Sequence, residues 1–185
     1  MKIAIIHGTK GTPEGNWFPW LASQLENLGH EVIIPRFPTP ENQSLTVWHD
    51  VFVESFGQLT KDTILIGHSI GAVFCLRLLE KSACQIGATF LVAGLNANIG
   101  IPEYDNLNAS FLAAPLQWDR IRNSSQIFQC LIGSNDPYVP FEQPISISKE
   151  LNCSPIIIND GGHLNSESGY SEFPLLISEL MKMLK

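Results

Sequence analysis

No stretch of this 185-residue chain approaches the roughly 18 consecutive apolar residues of a membrane-crossing helix, so no membrane span is expected. Positive charge is also scarce. Lys and Arg total 11 against 18 Asp and Glu, a formal net charge of -7, and no basic cluster exists. Nucleic acid and anionic lipid are therefore poor partners. The four cysteines, Cys75, Cys84, Cys130 and Cys153, include no CxxC pair. They read as buried free thiols of a reducing compartment, although arithmetic alone leaves a disulfide open. H-E-x-x-H is missing, so no metal is called for. The first glycine-rich loop has Gly8, Gly11 and Gly15, which is neither G-x-G-x-x-G nor a P-loop. No acidic ribose anchor follows the second strand at PRFPTP, and a nucleotide cofactor is discounted. The opening run MKIAIIHG is too short for a signal-peptide core and reads as a first buried strand. A cytoplasmic location is expected, with no cofactor.

What is present is alternation. Strands are expected at residues 2–8, 30–37, 62–69, 86–94, 127–134 and 154–159. Helices are expected at 16–29, 45–59, 70–81, around 141–152 and 170–184. The first helix would bury Trp17, Trp20, Leu21, Leu25 and Leu28. The second would bury Val47, Val51, Phe52, Ser55, Phe56 and Leu59. Hydrophobic content of 44% is ordinary for a globular chain, and nothing resembles a linker. One α/β domain over residues 1–185 follows: three layers around a mostly parallel six-stranded sheet. Residues 95–124 are less regular, with short helices expected near 107–113 and 116–122. So long a connection is either a lid or pocket segment, or packing structure.

Ligands of open parallel sheets bind outside the carboxyl ends of the strands. The polar residues expected there are His7, Gly8 and Thr9, then His68 and Ser69, then Asn135 and Asp136, then His163. GHSIG places Ser69 between Gly67 and Gly71, after ILI and before AVFCLRLL. That is the strand–turn–helix setting of a G-x-S-x-G nucleophile elbow, whose following N–H, here that of Ile70, donates to an oxyanion. A serine needs a base. His30 and His49 fall on expected surfaces. His68 should point away from its neighbour, and His7 lines the mouth or braces its loop. His163, in NDGGHLN, is the best base. Asp136, in GSNDPYVP, is preferred to Asp160 as the acid that orients it. The order Ser, Asp, His is that of an α/β-hydrolase. A second oxyanion donor should come from the first loop, at Thr9 or Lys10, with Thr9 favoured. His7, His68, Phe111, Leu112, Leu116 and Trp118 are candidate pocket residues.

Taken together, HG at His7 and Gly8, Trp17, GHSIG, the SNDP turn and GGH resemble the RBBP9/YdeN family of small serine hydrolases, within the α/β-hydrolase superfamily. The bacterial YdeN-like branch is the most similar. The resemblance spans nearly the whole chain and implies strand order 2-1-3-4-5-6, a Ser–Asp–His triad and hydrolysis of small esters. Thr9 and Lys10 depart from the asparagine or serine that many members carry after HG. Thioester, amide and peptide hydrolysis use the same groups. A protein-binding module on a hydrolase scaffold is the alternative of another class, and the small-molecule acyl substrate is the expected partner.

Overall fold

The computed structural model describes residues 1–184. Six strands form one parallel sheet: β1 (Lys2–Ile6), β2 (Glu31–Ile33), β3 (Thr63–His68), β4 (Ile86–Val92), β5 (Ser125–Gly133) and β6 (Ile156–Ile158). Their order is β2-β1-β3-β4-β5-β6, as the resemblance implied. Seven helices connect and flank them: α1 (Phe18–Asn27), α2 (Leu45–Ser55), α3 (Ile70–Glu80), α4 (Pro102–Leu112), α5 (Trp118–Asn123), α6 (Glu142–Glu150) and α7 (Pro174–Met183).

Strand alternation sends successive side chains to opposite faces and so builds two cores. Ile3 and Ile5 of β1 meet Trp17, Phe18, Leu21 and Leu25 of the first helical region, joined by Phe173, Leu176 and Leu180 near and on α7. Ala4 and Ile6 face the other way, toward Trp48, Phe52, Phe74 and Phe111. The central strands β3 and β4 are buried along their whole length, which explains their unbroken apolar runs. Every residue of α3 is buried as well, between the sheet and α4 and α5.

Several boundaries differ from expectation. β2 stops at Ile33 because Pro35 cannot donate to a ladder, and the strand lies at the sheet edge. Leu28 follows α1 in solvent, 47% exposed. α2 ends at Ser55 and buries Trp48 and Phe52, with Phe56 just beyond it, while Ser55 is exposed. Its start is fixed by Ser44, whose hydroxyl accepts the Val47 N–H at 3.2 Å. α4 begins at Pro102, five residues before the expected 107. Proline suits a first turn, and Asp105 accepts the Ile99 and Gly100 N–H groups just upstream.

The chain runs from β1 outward to β2, then crosses back to β3. The crevice between β1 and β3 is thus the point where the strand order reverses, and there the sheet opens to a ligand. Ile6 is in register with Gly67, so the first loop and the GHSIG turn leave the sheet side by side.

Candidate active site

The GHSIG turn is tight because its backbone is crowded. A Cβ on Gly67 would lie 2.5 Å from the Gly71 carbonyl oxygen, and one on Gly71 would lie 2.5 Å from that of Ile6. Only glycine fits either place. Between them Ser69 adopts φ 59°, ψ -126°, a conformation normally reserved for glycine. Ser69 precedes the first residue of α3. Ile70 therefore carries one of the N–H groups left without an intrahelical acceptor at a helix start.

Asp136 follows β5 in a turn that its own side chain closes. Oδ1 accepts the N–H groups of Tyr138 and Val139 at 2.9 and 3.0 Å. Oδ2 is left for His163 Nδ1, at 2.7 Å. Both side chains are more than nine-tenths buried. A carboxylate only accepts, so Nδ1 carries the imidazole proton and Nε2 keeps the lone pair.

His163 is held by a loop tied down at four points. Gly162 N–H donates to Asn135 Oδ1 at 2.7 Å, and His163 N–H to Ser168 Oγ at 3.2 Å. Trp17 Nε1–H donates to the Leu164 carbonyl at 2.9 Å. His68 Nε2–H donates to the carbonyl of His163 itself, at 2.9 Å. His68 is buried among Trp17 and Phe18, and burial, reinforced by the nearby His163, pushes its pKa down to about 3. It is a neutral prop for the loop that bears His163.

His7 is fully buried, edge-on to Phe37 and Trp48. Nε2 accepts the Phe37 N–H at 3.2 Å and Nδ1–H donates to the Gly8 carbonyl at 2.9 Å. Both nitrogens are thus engaged away from Ser69, and desolvation holds the pKa below that of a free histidine. The Gly11 N–H also donates to the Gly8 oxygen, at 3.0 Å. In a trans peptide the C=O and the next N–H point oppositely. Pinning the Gly8 carbonyl therefore fixes the direction of the Thr9 N–H. Gly8 packs so closely on Ser69 that a Cβ there would come within 2.8 Å of the serine Cβ. The Lys10 N–H is taken by Thr39 Oγ1 at 2.7 Å.

Ser69, His163 and His68 line one cavity of about 210 Å³ together with Gly8, Thr9 and Lys10. Tyr104, Asn108, Leu95 and Ile99 come from the 95–124 stretch, and Tyr138, Val139 and Glu167 close the far side. Five expected pocket residues, His7 among them, lie elsewhere. Phe111 is fully buried against Trp48, ring centroids 4.9 Å apart. Leu112, Leu116 and Trp118 line a separate hollow with Arg77. The cause is the direction of α3. Arg77 lies about 12 Å along that helix from Ser69, and the 111–118 stretch packs at its level. Only Tyr104 and Asn108 of α4 reach the mouth. His7 sits behind the loop and not on the cavity wall.

Sequence reasoning missed three supports. Gln43 Nε2 donates to Thr9 Oγ1, Asn108 Oδ1 and the Leu107 carbonyl at 2.9 to 3.1 Å, tying the first loop to α4. Tyr138 Oη–H donates to Glu167 Oε2 at 2.7 Å across the mouth, which raises the phenol to about 12. The Tyr138 ring also meets His163 edge-on at 5.1 Å. None of these has a motif, because each joins segments distant in sequence. Among the described residues, no group of three or more His, Cys, Asp and Glu side chains is placed to hold a metal.

Comparison with known proteins agrees with this architecture. The model of a family described as "Serine hydrolase" matches residues 3–182. YdeN of Bacillus subtilis (strain 168) is 26% identical over 181 residues, covering 97% of this chain and 94% of the relative. Serine hydrolase RBBP9 of Rattus norvegicus is 27% identical over 188 residues, covering 99% and 95%. The crystal structure of the B. subtilis ydeN gene product superposes with a TM-score of 0.90 at 24% identity, covering 99% of this chain and 98% of that one.

Proposed function

Since the chain belongs to the serine hydrolase family, in its RBBP9/YdeN-like group, we propose that it is a carboxylesterase acting on small esters through Ser69, Asp136 and His163. The observation that carries the reading is the 2.7 Å Asp136–His163 bond together with a serine on a strained turn, with His163 and Ser69 lining one cavity. With its proton on Nδ1, His163 offers Nε2 as the general base. It takes the Ser69 proton as the oxygen attacks the ester carbonyl. The N–H groups of Ile70 and Thr9 hold the oxyanion. The engagement of the Lys10 N–H by Thr39 favours Thr9. Protonated His163 then gives its proton to the leaving alcohol. The same nitrogen activates water, which releases the acid and restores Ser69. Asp136 stays a carboxylate throughout.

The cavity favours small substrates, since about 210 Å³ falls below the usual range for drug-sized ligands. Leu95, Ile99 and Val139 offer an apolar wall for a short acyl group. Labelling with a fluorophosphonate, followed by peptide mapping, tests the assignment. The adduct is expected on Ser69, with turnover of short-chain activated esters. Ser69→Ala, His163→Ala and Asp136→Asn should each lower kcat roughly ten-thousand-fold. Folded protein that neither labels nor turns over any such ester would refute the reading.

A further inference from the structure

Two cysteines outside the proposed chemistry lie side by side. Cys130 is on β5 and 2% exposed, whereas Cys153 is half-buried on the loop between α6 and β6. Their Sγ atoms are 3.7 Å apart. The backbone on both sides is fixed. Cys153 N–H donates to the Ser148 carbonyl at 3.0 Å, and Gln129 Nε2 donates to the Ser154 carbonyl at 3.1 Å. Leu131 and Ile156, just beyond the two cysteines, are in strand register. A disulfide needs the sulfurs at about 2.05 Å, so the 3.7 Å contact must shorten as the bond forms. We infer that Cys130 and Cys153 are a dithiol site that closes to an intrachain disulfide by exchange with a small disulfide such as oxidised glutathione.

The two thiols differ in a way that orders the steps. The two Sγ atoms share a hydrogen bond in which either can donate; this contact lowers the Cys153 thiol and, together with burial, raises Cys130. Cys153 is also the more accessible of the two. Its thiolate attacks one sulfur of the small disulfide. A new S–S bond forms as the old one breaks, and one small thiolate leaves. That thiolate takes the Cys130 proton. Cys130 then attacks Cys153 Sγ and expels the second small thiolate. Two protein thiols are oxidised, and one small disulfide becomes two thiols.

The new bond closes the loop from 130 to 153, which carries Asp136 and α6. It leaves the Asp136–His163 contact untouched, so its effect is on the unfolded chain. The other two cysteines have no such arrangement. Cys75 is fully buried, and Cys84 donates to the Leu59 carbonyl at 3.4 Å.

The test treats the intact protein with oxidised glutathione at about pH 8, alkylates free thiols, and maps peptides without reduction. A Cys130–Cys153 cross-linked peptide is expected, with Cys75 and Cys84 alkylated after unfolding. Tm should rise by roughly 5–10 °C and return with dithiothreitol. Cys130→Ser should stop the reaction at a mixed disulfide between glutathione and Cys153. Two free thiols at 130 and 153 after treatment, or glutathione on Cys84 with Cys153 unmodified, would overturn the inference.

Discussion

Ser69 sits at φ 59° and ψ -126°, which a β-carbon tolerates poorly. Replacing it separates strain from chemistry. Ser69→Gly should raise unfolding free energy by about 1 kcal/mol, since glycine adopts this conformation freely, while the proposed esterase activity should be lost. Ser69→Ala loses the same activity and keeps the strain, so its stability should stay near that of the parent. Urea titration of the three proteins measures both. His68 gives a pH signature. Folded, it remains neutral down to about pH 3; unfolded, it takes a proton below about pH 6.5. The unfolded chain therefore binds more protons between those values, and stability falls as pH falls through that window. One such histidine contributes up to about 1.4 kcal/mol per pH unit. His7, also depressed by burial, adds in the same direction. Denaturation midpoints at neutral and mildly acidic pH should show the decline, and His68→Asn should flatten it. Sequence spacing singled out Ser69, Asp136 and His163 because each follows a strand on one edge of the sheet. The carbonyls that engage His7 and His68 are unmarked in sequence, since backbone acceptors have no residue identity.

Among the elements, α3 does two jobs at its two ends. Its start approaches β1 so closely that Gly71→Ala must push the strand away, an overpacking cost of about 1–3 kcal/mol. That variant should also lose activity, because the displaced strand carries the first loop. Near its end, buried Arg77 pairs with Glu80 at 2.9 Å. It also donates to the carbonyls of Phe111, Ala114 and Pro115, and Glu80 accepts the Gln117 N–H at 2.6 Å. This clamp holds the α4–α5 connection. Arg77→Ala leaves a buried carboxylate and three carbonyls short of a partner, and should cost about 3–5 kcal/mol. Faster amide exchange in residues 111–117 should accompany the loss. The helices with strong apolar periodicity, α1 and α7 above all, were readable in advance, and α3 was readable from its place after the GHSIG turn. The 111–118 residues were not, since apolar composition gives burial without saying which end of α3 they pack against.

For the whole molecule, the strand order places the β1 and β3 loops in one crevice and lets two later loops bring the paired Asp136 and His163 to it. Six strands with intervening helices made that sheet legible from sequence. The mouth was not, because the walls at Tyr104, Asn108, Tyr138 and Glu167 are set by helix direction and by bonds between distant loops. The central claim is that Ser69 becomes acylated within this frame. Rapid mixing with a short-chain p-nitrophenyl ester, read by released nitrophenolate and by intact mass, tests it most directly. A burst approaching one equivalent per chain is expected, with an acyl adduct that maps to Ser69 and is absent from Ser69→Ala. Release of nitrophenolate at the same rate from the Ser69→Ala protein, or an acyl group mapped to another residue, would contradict the account.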